Sequence, residues 1–302
     1  MSEAAVAGGL TWPVALAMLF AALLHASWNA LIKRGSDKAL DTALIHGLAV
    51  LIAIPAVLVL GLPRAEAWPY LIGSLIVHIG YYVALVGAYQ HGDLGLTYPV
   101  MRGFAPLLVA CGSAAFVGEV LAPGAWAGVA AISIGVVTMG LAGTSAAHPL
   151  RHRDPQAHHG KALGYALFNA LLIALYTVID GLGVRKSGDT AAYLAALFMM
   201  DGVPYFCIVM WQRRQRLRET FATMGRRWPV ALPATLASIG AYGIALWAMT
   251  RAPVALVAAL RETSVLFAAV IGASWLGEAY GRGRIAATLI IVAGVIGLRL
   301  AR

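Results

Sequence analysis

The sequence predicts an all-α polytopic membrane protein with ten transmembrane helices in two inverted five-helix repeats. Three observations carry that reading. Of 302 residues, 61% are hydrophobic and 12% charged, whereas soluble domains carry roughly 25% charged residues, and mean hydropathy is +0.80. The apolar residues fall in blocks of about 17–25, the length that crosses a bilayer. The second half of the chain also repeats the pattern of the first.

The blocks lie at 12–33, 41–61, 68–90, 96–117, 124–143, 161–183, 190–211, 229–249, 254–276 and 283–300. The first follows Met1-Ser2-Glu3, lacks a basic leader and is long enough to span, so it reads as helix 1 rather than a cleaved signal. Two connections are long. Residues 144–160, with HPLRHRDPQAHHG at their centre, read as a polar linker, and residues 212–227 as a strongly basic loop.

Trp68-Pro69 returns 160 positions later as Trp228-Pro229, as do Gly80 and Tyr82 as Gly240 and Tyr242. One residue is then lost, and at an offset of 159 Arg102 matches Arg261, Ala110 matches Ala269, Gly118-Glu119 matches Gly277-Glu278 and Gly135 matches Gly294. This is an internal duplication, with repeats at 1–143 and 161–302. Five spans per repeat is an odd number, so the second copy crosses the membrane in the opposite sense.

The formal charge of +9 does not point to nucleic acid, because the basic residues sit in short gaps between spans rather than on an aromatic, water-facing surface. Fourteen Lys and Arg flank the odd-numbered helix ends and six the opposite side, which includes both termini. The positive-inside rule thus puts the basic loops in the cytoplasm and both termini outside. Cys111 and Cys207 lie within spans and read as packing residues, with no disulfide or metal framework.

A charged group in mid-span costs roughly 2.5–3.5 kcal/mol on insertion scales and normally faces a cavity or a partner. Helix 1 carries His25, Trp28, Asn29 and Lys33 on one stripe, with Lys33 snorkelling to the interface. Helix 3 carries His78, Tyr81 and Tyr82, and Tyr242 is the repeat mate of Tyr82. Helix 4 presents Tyr98 and Arg102, and helix 9 presents Arg261 and Glu262. Paired arginines suit a bidentate grip on carboxylate or phosphate, or else ion pairs with Asp201, Asp180 or Glu262. Asp201 in helix 7 and Asp180, at the end of the Asn169-Tyr176-Asp180 stripe of helix 6, are proton-coupling candidates, and depth favours Asp201. The Gly202-Val203-Pro204 that follows Asp201 would loosen helix 7. Glu119 and Glu278 close helices at the interface and read as structural. Gly124, Gly128 and Gly135 on helix 5, with Ala287 and Gly294 on helix 10, read as a scaffold or a homodimer seam.

Enzyme signatures are missing: there is no H-E-x-x-H, Walker loop or G-x-S-x-G, and no cofactor or metal motif. Asp180-Gly181-Leu182-Gly183 has Gly and Asp in the wrong order for an intramembrane aspartyl protease.

LLHASWNALIKR at 23–34, YPVMRGFAPLLVA at 98–110, ALYTVIDGLG at 174–183 and APVALVAALRETSVLFAA…LGE at 252–278 make the chain resemble the drug/metabolite transporter superfamily, in particular tandem EamA-type proteins. The resemblance covers essentially everything outside the linker. It implies a secondary transporter whose chamber is lined by helices 1, 3, 4, 6, 8 and 9, with helices 5 and 10 peripheral. It also implies cytoplasmic termini, against the charge tally, and mostly export of metabolites. Some relatives with His-x-x-Trp-Asn look like proteins associated with phosphonate-utilisation genes. The expected function is secondary-active, alternating-access transport of a small polar metabolite, with a carboxylate, phosphate or phosphonate as the anionic case, across a plasma (bacterial inner) membrane. The rivals are a carrier or flippase of lipid-linked substrates and a non-transporting membrane scaffold.

Overall fold

The computed structural model describes residues 10–35, 37–91, 94–144, 156–275 and 281–301. Its helices are α1 (Trp12–Arg34), α2 (Lys38–Leu60), α3 (Trp68–His91), α4 (Leu94–Gly112), α5 (Pro123–Thr144), α6 (Gln156–Lys186), α7 (Thr190–Gln212), α8 (Leu217–Met249), α9 (Val254–Glu262), α10 (Ser264–Trp275) and α11 (Arg282–Leu300). Among the described residues ten spans are long and apolar enough to cross a membrane, with α9 and α10 together making the ninth and α11 the tenth. All ten expected spans are present. Glu278 and the centre of the 144–160 linker lie outside the described residues, as does the Lys33 side chain.

Local chemistry sets the helix ends. Pro13 opens α1, where its missing N–H costs nothing. The Asp37 carboxylate caps α2 by accepting from Leu40 N–H, and Asp189 caps α7 by accepting from Ala191 and Ala192 N–H. After α4 the chain widens into a π-turn over Ser113–Val117 and reverses at Gly118, whose φ of 73° suits a residue without Cβ. That reversal turns Glu119 inward.

Two expectations change. Residues 212–227 are not an open loop: a 3₁₀ turn at Arg214–Arg216 leads into α8 at Leu217, about three turns before the apolar stretch begins. The segment has good helix formers, and Thr220 and Met224 are buried, Met224 against the Leu40–Leu44 face of α2. Helix α7 runs unbroken through Pro204. Gly202 instead admits the α2 backbone, since a Cβ there would stand 2.9 Å from the His46 carbonyl oxygen.

Several helix pairs join the two halves of the chain. α3 lies on α6 and α8 on α1; α4 lies on α6, and α9 and α10 on α1; α2 pairs with α7, and α5 with α11. The α5–α11 seam is built on the small residues picked out in the sequence. A Cβ on Gly135 would meet the Ile291 backbone nitrogen at 3.1 Å, and one on Gly294 the Gly128 carbonyl at 2.9 Å. These faces are therefore filled within one chain. The start of α1 and the end of α11 meet where Arg299 covers the Trp12 ring at 4.9 Å. We call this the terminal end, and the end carrying Arg213–Arg227 the basic end.

Candidate functional site

The repeat mates on α4 and α9 meet at the centre of the bundle. Arg102 is buried and its Nε lies 2.8 Å from Glu262 Oε2, an ion pair whose N–H is not aligned as a hydrogen bond. Its Nη2 also donates to Ser264 Oγ at 3.3 Å. Ser264 opens α10, because the ninth span is interrupted at Thr263, so a helix N-terminus begins inside the site. Arg261 is placed differently. Its Nη2 donates to the Tyr176 hydroxyl at 3.3 Å and its guanidinium lies over the Tyr242 ring, 5.2 Å from the centroid. Among the described residues no carboxylate comes within 4.0 Å of it.

An aromatic and carboxylate layer continues from Arg261 towards the terminal end. Tyr242 donates to Asp180 Oδ2 at 2.5 Å and Tyr193 to Asp180 Oδ1 at 2.9 Å. Asp180 is fully buried. His78 stacks on Tyr176 with centroids 4.3 Å apart, and its Nδ1 lies 2.9 Å from the Ser74 carbonyl. A second aromatic group lies between α2, α3 and α7: His46, Tyr82 and Tyr205 have centroids 5.2–6.4 Å apart. Tyr82 reaches Asp201 Oδ2 over a long 3.3 Å contact.

On helix 1, His25 stands edge-on to Trp28 at 5.4 Å and within electrostatic reach of Arg102 and Arg261. Trp28 packs with the α2–α7–α8 cluster, and its buried indole nitrogen has no partner. Asn29 spends its amide on the His25 carbonyl at 2.7 Å. Tyr98 sits one turn before Arg102 and is 38% exposed.

Of the residues expected from sequence, Arg102, Arg261, Glu262, Tyr242 and His78 share one neighbourhood with Asp180, and His25 faces it. Tyr82 and Asp201 form the neighbouring group, while Trp28, Asn29 and Tyr98 lie at the margins. Depth along the chain favoured Asp201, but the structure buries Asp180 completely and leaves Asp201 half-buried. Tyr193, His46, Tyr205 and Ser264 carried no signal in sequence, because each joins the site only through packing between helices.

The site is closed. The cavity beside Arg261 and Glu262 has a volume of about 10 Å³, room for about one water. At the terminal end Arg185 ties four helix ends together: it bonds Glu119 at 2.6 Å, the Met249 carbonyl at 2.8 Å and the Ala252 carbonyl at 3.2 Å. The other Glu119 oxygen accepts from Val254 N–H at 2.8 Å and so caps α9. Glu119 is thus structural, as its position in sequence suggested. At the basic end, Asp37–Arg213 and Asp41–Arg227, both at 2.8 Å, join the start of α2 to the α7–α8 junction. A cleft of about 340 Å³ opens beside Asp37 and Arg213.

Ten apolar spans around a buried charged centre define an integral membrane protein. Residues 160–300 match the EamA-like transporter family, the kind of domain the sequence resembled. Members of that family are membrane transporters of small molecules rather than enzymes. Twenty-nine solved chains are similar in structure. One, titled only "Crystal structure of protein", shares 18% identity over 95% of each chain with a TM-score of 0.68, a likeness of fold. No curated protein matches the chain.

Proposed function

We propose that the protein is a secondary-active transporter of a small anionic metabolite bearing a carboxylate, phosphate or phosphonate. It would work by alternating access between two inverted EamA-like halves in a plasma membrane. One observation carries the reading: Arg261 holds a permanent charge at the centre of the bundle with no carboxylate within 4.0 Å of it among the described residues. Arg102 is already neutralised by Glu262, so a substrate anion has one cation to recruit, helped by the α10 N-terminus. His25, His78, Tyr176 and Tyr242 shape the chamber that opens around it. The basic loops favour termini on the outside.

The test is thermal stability of the purified protein with acetate, succinate, inorganic phosphate and methylphosphonate, against glucose and choline as neutral and cationic controls. A ligand at 100 times its dissociation constant stabilises by about 2.7 kcal/mol, a readable shift. Stabilisation by one of the anions, lost in Arg261→Ala, supports the reading. Stabilisation by choline or glucose alone overturns it.

A further inference from the structure

Resting on the anion-site reading, we infer that Asp180 is a proton site coupled to Arg261 through Tyr242, so that each substrate anion is bound together with one proton. The juxtaposition is specific. The Tyr242 hydroxyl donates to Asp180 while its ring face carries the Arg261 guanidinium, so one side chain touches both charges. The two charges are also the ones left over. Arg102 and Glu262 neutralise each other. Arg261 and Asp180 each lack a direct ion-pair partner among the described residues, Tyr242 stands between them, and on this inference they offset each other across the tyrosine in the closed state.

An anion arriving at Arg261 removes that balance. Asp180 would then be a fully buried carboxylate facing a neutralised arginine, and in a low-dielectric interior such a charge is costly. A proton on Asp180 restores neutrality without moving a helix. The groups that face Asp180 suit this. Tyr193 from α7 and Tyr242 from α8 donate to it, and His78 from α3 lies within electrostatic reach. On its own helix, Tyr176 is held by Arg261 and Arg185 by Glu119. The charged group of α4, Arg102, is engaged with Glu262, and the α9 neighbour is Arg261 itself. Among the described residues no cation pairs with Asp180 directly, and His78, within electrostatic reach, is the proposed relay for its proton.

Linkage fixes the sign. If binding takes up a proton, affinity for an anion of constant charge rises as pH falls, by up to ten-fold per pH unit. The experiment is calorimetric titration of the wild-type protein with acetate or sulfate between about pH 6 and about pH 8, in buffers of different ionisation enthalpy. The expected result is uptake of close to one proton per anion. Asp180→Asn should bind the same anion with no proton uptake and a pH-independent dissociation constant. Wild-type binding without uptake overturns the inference and leaves the anion site standing. So does uptake that survives in Asp180→Asn but is lost in His78→Gln or Asp201→Asn. Failure of every anion to bind the wild type sinks the anion site itself. If Asp180→Asn does not fold, infrared difference spectra of the wild type decide. A protonated-carboxyl C=O band should grow on anion addition, and its absence overturns the inference.

Discussion

Arg102 and Arg261 stand at equivalent positions in the two halves of the sequence, yet their surroundings differ. Arg102 meets Glu262 and Ser264, and Arg261 meets two tyrosines. Symmetry of sequence is therefore not symmetry of chemistry. The asymmetry comes from one residue. The position after Arg261 is Glu262, whereas the position after Arg102 is Gly103, so only one half supplies a central carboxylate, and it neutralises the arginine of the other half. One arginine pairs across the halves, and its mate is the one that the proposed function assigns to the ligand.

The largest expected effect breaks the structural member. Arg102→Ala leaves Glu262 buried without its cation and should cost about 3–5 kcal/mol of stability, measured by unfolding in detergent, whereas Arg102→Met with Glu262→Leu should recover most of that loss. An equal loss in the double variant would show that the pair is not what the arginine contributes. The next effect is on Arg261. Arg261→Ala should weaken anion binding by about 10–100-fold, or ~1.5–3 kcal/mol, with little change in the melting temperature of the free protein. A drop in melting temperature as large as that of Arg102→Ala would erase the distinction.

The two ends of the bundle extend the contrast. Glu119 and Arg185 have side chains 5% and 19% exposed, whereas Asp37 and Arg213 are both 33% exposed. Glu119→Gln should cost about 1–2 kcal/mol through the lost cap and ion pair. Asp37→Asn should cost less than about 1 kcal/mol. If the order is reversed in melting temperatures, the terminal end is not the more firmly shut of the two.

The spans were legible because lipid demands about twenty apolar residues per crossing, a signal written locally in the sequence. The arginines, Glu262 and Tyr242 were legible because charge and repeated aromatics are rare in such segments and recur at a fixed offset. The ranking of Asp180 and Asp201 was not. Depth along a helix says nothing of which neighbour turns a hydroxyl towards the carboxylate, and Tyr193 and Tyr242 come from other helices. The helical basic segment was missed for a related reason: Arg and Gln read as loop beside an apolar block, while Met224 finds a buried face only once α2 is in place.

The backbone-to-backbone seam between α5 and α11 has a consequence for biosynthesis. α5 ends at Thr144 and α11 begins at Arg282, so the glycine face of α5 enters the bilayer well before the face it fits has been made. At ordinary elongation rates the wait is on the order of ten seconds. Through that interval Gly128 and Gly135 sit open to lipid or to other helices of the nascent chain. A product truncated before α11 would keep that bare face, a mark by which membrane quality control could tell an unfinished copy from a finished one.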